Sequence, residues 1–397
     1  MDTEAIKKMA NDNTLNTYNR FDLALTEGKG VRVKDSEGRE YIDFTSGIGV
    51  NSLGFCDPGW VDAVRKQAGE LQHISNLYYT EPFARTAEKL TALTGMSRVF
   101  FANSGAEANE CAIKAARKYS FLKYGQGKDD FCRYRIVTLG GSFHGRTMAT
   151  ITATGQEGFH KYFTPFLQGF DYAATNDAGS LNETVTEETC AIMIEFVQAE
   201  GGVVDLDAGF VDEIVKLCEK NDILLIADEV QTGVGRTGKF MAYDHFCVKP
   251  DIVTIAKGFG GGLPIGGVIF NEKTKDALGP GDHGSTFGGN PIVCAGADYV
   301  LSKFMDGAFL REIAGKGDYF REKLLSVPGV NGVSGLGLLI GVDVGEKDPL
   351  GICQEALKRG LLALTAKEKV RLLPPLVVER PDIDEGLAIL TEAIEAV

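Results

Sequence analysis

Three short stretches of the chain put reactive side chains where a fold can use them. The apolar run Ile223-Leu224-Leu225-Ile226-Ala227 ends in two carboxylates, Asp228 and Glu229. A buried strand that ends this way sets them at a sheet edge, where open α/β folds bind ligands; a strand simply stopping at its first charge gives the same pattern. A second run, Asp251-Ile252-Val253-Thr254-Ile255-Ala256, is followed by Lys257 and then Gly258-Phe259-Gly260-Gly261-Gly262. An amine between a strand and a glycine-rich turn lies where backbone can come close to a ligand. Partly desolvated, its pKa would fall and it could form an imine; a solvated loop lysine fits the same spacing. The third stretch, Phe101-Ala102-Asn103-Ser104-Gly105-Ala106-Glu107, reads as strand, small-residue turn and helix start. Free amides at 105–107 could hold a phosphate, and Asn103 or Ser104 could cap the helix.

Other motifs fail on context. Gly233-Val234-Gly235-Arg236-Thr237-Gly238 matches the dinucleotide fingerprint, yet no crossover helix is legible in Phe240-Met241-Ala242-Tyr243-Asp244-His245. Asp382-Ile383-Asp384-Glu385-Gly386 begins like a calcium loop, but glycine is missing at its sixth position and glutamate at its twelfth, so it reads as a helix start. The eight cysteines (56, 111, 132, 190, 218, 247, 294 and 353) include no C-x-x-C pair, so neither a metal site nor a redox pair is expected.

Bringing the first three stretches to one edge requires a sheet. Short apolar runs at Arg98–Phe101, Ile136–Leu139, Ala191–Glu195, Ile223–Asp228, Ile252–Ala256 and Gly266–Phe270 alternate with stretches of helical spacing, notably Ala106–Lys123 and Gly209–Lys220. Continuous hydrophobic strands separated by crossover-length segments predict an α/β unit with a mostly parallel sheet covered by helices. Beyond residue 305 the pattern becomes α+β: a helix Phe309–Leu325, strands at Leu338–Val342 and Val370–Leu373, a helix near 350–360 and a last helix from Asp382. The first 60 residues hold a hairpin, Gly30–Val33 with Tyr41–Phe44. Neither end piece is large enough to hold a core easily, so residues 1–60 and 305–397 are expected to form one small α+β domain beside a large domain of residues 61–304.

Composition bounds the partners. A net charge of −14 over 397 residues repels nucleic acid and anionic membrane on average. No run reaches the ~20 apolar residues that span a bilayer, and Met1-Asp2-Thr3-Glu4-Ala5 lacks the plan of a signal peptide. Scattered cysteines then suggest a reducing compartment, the cytoplasm.

The order and spacing of four motifs resemble the class III (ornithine-type) aminotransferases of fold type I. These are Phe143-His144-Gly145-Arg146-Thr147, Asp228-Glu229-Val230-Gln231-Thr232-Gly233, Ala256-Lys257-Gly258 and Gly284-Ser285-Thr286-Phe287-Gly288-Gly289-Asn290-Pro291, and the likeness runs from Tyr41 to Leu376. It implies pyridoxal 5'-phosphate attached to Lys257 as a Schiff base, with Lys257 also moving the substrate proton. Asp228 would pair with the pyridinium nitrogen. Gly105 and Ala106 would offer amides to the phosphate. Phe143 and Val230 would flank the ring beside His144, Gln231 would reach its phenolic oxygen, and Glu229 belongs to the same implied set.

The resemblance further implies that Arg146 and Arg371 clamp substrate carboxylates, with Glu200 masking Arg371 when an ω-amino substrate enters. Ser285 and Thr286 would reach substrate and phosphate in the neighbouring subunit of a homodimer with shared sites. The expected reaction carries the δ-amino group of N2-acetyl-L-ornithine to 2-oxoglutarate in arginine biosynthesis. Relatives acting on ornithine, succinylornithine, succinyl-diaminopimelate or 4-aminobutyrate share nearly all the motifs. Two stretches depart from the family pattern: Gly54-Phe55-Cys56-Asp57-Pro58, and Glu195-Phe196-Val197-Gln198-Ala199-Glu200, where the family has E-P-x-Q-G-E.

Overall fold

The computed structural model describes residues 1–397. The N-terminal part forms β1 (Leu25–Lys29), β2 (Arg32–Asp35) and β3 (Glu40–Asp43). The middle of the chain supplies β4 (Arg98–Ala102), β5 (Arg135–Leu139), β6 (Phe170–Ala173) and β7 (Thr189–Ile194). A small hairpin, β8 (Val197–Gln198) and β9 (Val204–Asp205), follows, then β10 (Leu224–Asp228), β11 (Ile252–Ile255) and β12 (Gly266–Phe270). The C-terminal strands are β13 (Gly332–Ser334), β14 (Ile340–Asp343), β15 (Leu361–Leu362), β16 (Leu364–Ala366) and β17 (Lys369–Leu372).

Seven strands build the central sheet in the order β4-β12-β11-β10-β7-β5-β6. Strands β5, β6, β7, β10 and β11 run parallel, while β12 lies antiparallel between β11 and β4. Every residue of β7, β10, β11 and β12 is buried, which explains why they read as unbroken apolar runs: helices cover both faces. The sequence reading missed β6. At the sheet edge its Tyr172 is exposed and its half-buried Asp171 pairs with Arg135, so its four residues carry no continuous apolar signal.

The parallel strands end on one edge, and three groups follow from it directly: Glu195 after β7, Asp228 closing β10 and Lys257 after β11. Helix Gly105–Ser120 rises from the same edge, with the Ser104 side chain accepting the Glu107 N–H as N-cap. Its buried stripe of Ala108, Cys111, Ala112, Ala115 and Ala116 lets it lie close against the sheet. The helix gives way to a π-turn, Phe121–Gly125, within the stretch read as one helix.

The two chain ends meet. Strand β15 pairs in parallel with β3, Leu361 opposite Ile42, so residues from both termini share a four-stranded sheet. A second sheet, β13-β14-β17-β16, carries Arg371 on β17. Helix Pro58–Glu70, unanticipated from sequence, begins at the first departure from the family pattern, and Asp57 caps it by accepting the Trp60 N–H. The stretch resembling a calcium loop is the first turn of helix Arg380–Glu395. The Gly233–Gly238 stretch is a turn and opens no helix.

Candidate active site

A cavity of about 460 Å³ opens at the carboxyl edge of the central sheet. Asp228 reaches it from β10 with its carboxylate already gripped by the protein. Oδ2 accepts from Asn109 Nδ2 at 2.8 Å and pairs with His144 Nδ1 at 2.7 Å, and Oδ1 accepts the Val230 N–H at 3.0 Å. Because a carboxylate only accepts, this geometry puts the imidazole proton on Nδ1. Lys257 lines the same cavity and makes neither a hydrogen bond nor an ion pair within the chain. Burial pulls its pKa below the usual lysine value, opposed by Glu200, while nearby Arg371 adds to the lowering.

Ser104, Gly105 and Ala106 line another wall, where the first turn of the helix leaves the Gly105 and Ala106 amides without acceptors in the chain. Glycine is required at 105, since a Cβ there would come within 2.6 Å of Val230 Cγ1. Phe143, His144 and Val230 complete the pocket. At its mouth the Arg146 guanidinium lies 5.6 Å from the ring centres of both Phe143 and Phe159, with no carboxylate of the chain paired to it.

Beside the cavity stands a second charge arrangement. Glu200 Oε1 lies 2.7 Å from Arg371 Nη1, and Gln231 bridges them, donating to Glu200 at 3.0 Å and accepting from Arg371 at 3.2 Å. Burial works to raise the Glu200 pKa, but Arg371 beside it wins and holds it at about 2. Arg371 Nη1 also donates to the Ala199 carbonyl at 3.2 Å, a backbone contact that tolerates alanine where the family carries glycine. The other departure, Phe196, is fully buried against Phe246.

The fold thus gathers Gly105, Ala106, Phe143, His144, Arg146, Asp228, Val230, Gln231 and Lys257 around one cavity, with Glu200 and Arg371 one hydrogen bond away through Gln231. It does not bring Glu229 there. That carboxylate is fully buried and accepts from Thr232 Oγ1 and from the Ala242 and Tyr243 amides, so it ties down the loop behind the site and the sequence expectation is corrected. Ser285 and Thr286 do not line the cavity of their own chain. Ser285 Oγ accepts from Asn103 Nδ2 at 3.0 Å, and Thr286 is exposed.

Two contributors were missed. Asn109 lies one helical turn beyond Gly105, a spacing that could have marked it as facing the same cavity. Glu195 directly follows β7, and its Oε1 accepts the Phe143 N–H at 2.8 Å. Burial lifts its pKa to about 7, against the pull of nearby His144. Its strand-end position gave the same signal as Asp228.

A profile of the family described as aminotransferase class-III matches residues 14–394. The acetylornithine aminotransferase of Haemophilus ducreyi is 49% identical over 396 residues, covering 99% of both chains. That of Caldanaerobacter subterraneus subsp. tengcongensis is 48% identical, covering 96% of this chain and 97% of its own. Among solved structures, the ornithine aminotransferase of Toxoplasma gondii ME49 superposes with a TM-score of 0.93 at 30% identity, covering 100% of this chain and 96% of its own. A second structure of the Toxoplasma gondii enzyme is described as having partial occupancy of PLP at its active site. The N-acetylornithine aminotransferase of Stenotrophomonas maltophilia K279a gives a TM-score of 0.82 at 35% identity, covering 96% of this chain and 97% of that one.

Proposed function

The chain belongs to the class-III aminotransferases, and from that premise we propose that it moves the δ-amino group of N2-acetyl-L-ornithine to 2-oxoglutarate, giving N-acetylglutamate 5-semialdehyde and glutamate, with pyridoxal 5'-phosphate as cofactor. One observation carries the reading: an unpaired, half-buried amine, Lys257, faces the same cavity as a carboxylate held by Asn109, His144 and the Val230 amide. The amides of Gly105 and Ala106, which lack acceptors, suit the cofactor's phosphate. When bound, pyridoxal phosphate supplies an electron sink for the carbon that loses its proton.

The protein's own part follows from its charges. Lys257 Nζ, kept reactive by burial, holds the cofactor and carries the proton to and from the amine-bearing carbon of the substrate. Asp228 holds a proton on the pyridine nitrogen, since a fixed carboxylate favours the charged form. Arg146, lying over the packed rings of Phe143 and Phe159 and otherwise unpaired, takes the α-carboxylate of the donor. Arg371 takes the carboxylate beside the keto carbon of 2-oxoglutarate once Glu200 lets go of it, with the far carboxylate falling to Arg146, so one pocket serves two substrates of different charge. In arginine biosynthesis such an enzyme runs in a reducing cytoplasm, which suits eight free cysteines, three of them exposed. No helix is long and apolar enough to cross a membrane.

The same reading includes a homodimer with shared sites. Thr286 is exposed in a loop that Asn76 binds at the Ser285 and Gly288 carbonyls, and the exposed Phe287, Leu77, Tyr78 and Tyr79 flank that contact in sequence, an apolar set that suits a second copy. It also includes a small domain of residues 1–60 and 305–397 beside a large one of 61–304. Borohydride reduction and peptide mapping should leave a pyridoxyl label on Lys257; a label on another lysine overturns the assignment. A donor panel with 2-oxoglutarate should rank acetylornithine first by kcat/KM, with ornithine as the main rival.

A further inference from the structure

The glycine stretch that imitates a nucleotide fingerprint holds a charge with no ion-pair partner. Arg236 is 2% exposed, and no carboxylate lies within ion-pair reach of it. Its Nη1 donates to the carbonyls of Leu338, at 3.0 Å, and Pro374, while Nη2 lies 3.4 Å from Ser46 Oγ. The grip is mutual, because the Leu338 N–H donates back to the Arg236 carbonyl at 3.0 Å. Burial lowers the guanidinium's pKa to about 9, with Asp43 opposing from a distance. A buried cation satisfied only by neutral oxygens is costly, so the bonds it makes must organise something.

What they organise is the end of one ladder. In the β14/β17 pair Ile340 stands opposite Leu372 and Gly341 opposite Arg371. Leu338 and Pro374 lie two residues beyond Ile340 and Leu372, at the next step of the same register, and the Arg236 Nη1 amino group bridges them where the ladder stops. The base of the brace is equally fixed. Glu229 clasps Thr232 and the amides of Ala242 and Tyr243, so the loop carrying Arg236 is tied at both ends. A Cβ on Gly337 would strike the Thr237 backbone, which shows how closely the two segments approach. Ser46 Oγ donates to the Leu373 carbonyl at 2.6 Å, joining the N-terminal segment to the same end.

We propose that Arg236 is a positioning residue for substrate selection: by bridging Leu338 and Pro374 it fixes strand β17, and thereby sets Arg371 against Gln231, Glu200 and the Lys257 cavity. The inference rests on the reading of Arg371 as the clamp for a second carboxylate. It predicts that loosening the brace weakens dicarboxylate recognition while leaving cofactor attachment intact, because Lys257 and Asp228 stand on strands that Arg236 does not touch.

The test uses holoenzyme and two inert probes, glutarate with two carboxylates and butyrate with one, titrated by the change in cofactor absorbance. R236M removes the fork's bonds, and R236K keeps the charge but can satisfy fewer of the acceptors. Wild-type-like cofactor absorbance is expected in both. R236M should weaken glutarate relative to butyrate by about tenfold, within the range a small misplacement costs, with R236K falling between R236M and wild type. Arg371→Ala should weaken glutarate at least as much, and adding R236M to it should change the ratio no further. An unchanged ratio in R236K and R236M, with R371A shifted, overturns the proposal; should R236M not fold, the R236K ratio decides. If R371A itself leaves the ratio unchanged, the clamp reading has failed instead. Neither outcome depends on which donor the enzyme prefers.

Discussion

Two charged arrangements meet at the cavity, and they are built on opposite plans. At Asp228 the protein supplies permanent partners: Asn109, His144 and the Val230 amide hold the carboxylate in one place, with Lys257 facing the same space. At Arg371 the partner is another titratable side chain, Glu200, with Gln231 bonded to both. The first arrangement sits on adjacent parallel strands of one sheet. The second spans the seam between the turn of the β8–β9 hairpin and a strand of the C-terminal sheet. Fixed geometry suits chemistry, which loses from any misplacement, while a removable pair suits discrimination between substrates that differ in charge.

Substitutions should separate the two plans. Lys257→Ala is expected to cut turnover on the order of a millionfold, the scale set by deleting a covalent catalytic group, while the protein stays folded. Near-normal single-turnover rates in that variant would remove the chemistry from the sheet edge altogether. Asp228→Ala should keep cofactor bound and lose roughly a thousandfold in kcat. A loss that falls mainly on KM would mean that Asp228 serves binding, and the contrast with Arg371 would blur.

The seam should answer in ratios more than in rates. Glu200→Ala should favour glutamate over acetylornithine in the first half-reaction by about tenfold or more, since Arg371 is then left unmasked. Equal changes in both kcat/KM values would show that Glu200 is structural. The same pair sets a pH window. The folded Glu200 pKa of about 2 lies below the ordinary 4.5, so its stabilising contribution is complete above about pH 4.5 and is lost as pH falls towards 2. Thermal melts of wild type and Glu200→Gln should therefore differ most near neutrality and converge in acid; a gap that widened as pH fell would contradict the sign. The smallest effect belongs to the helix start. Ser104→Ala, deleting the cap on Glu107, should cost about 1 kcal/mol of stability, read from denaturant midpoints, and loosen cofactor more than it slows chemistry.

Much of the chemistry was legible because it lies at strand ends. Asp228 and Lys257 each follow a continuous apolar run, and in a covered parallel sheet that pattern fixes both the strand and the edge at which it stops. The Ser104 cap and the small residues at 105 and 106 announced a helix start for the same local reason. The amino-acid order by itself thus determined the central strands, the helix that brings Gly105 to the cavity, and the motif set that placed the chain in its family.

Three matters waited for the tertiary structure. Glu229 neighbours Asp228 in sequence, yet it points the other way and fastens a loop, because successive strand-end residues face opposite sides. The edge strand β6 left no apolar signal, since a charged Asp171 and an exposed Tyr172 interrupt its four residues. Arg371 meets Glu200 only where a C-terminal strand packs against the β8–β9 hairpin, and Arg236 meets Leu338 and Pro374 only where the loop after β10 reaches the end of the C-terminal ladder. Local pattern reports which way a residue faces within its own element. Which residues from distant elements come within bonding distance is decided by packing, and no spacing along the chain records it.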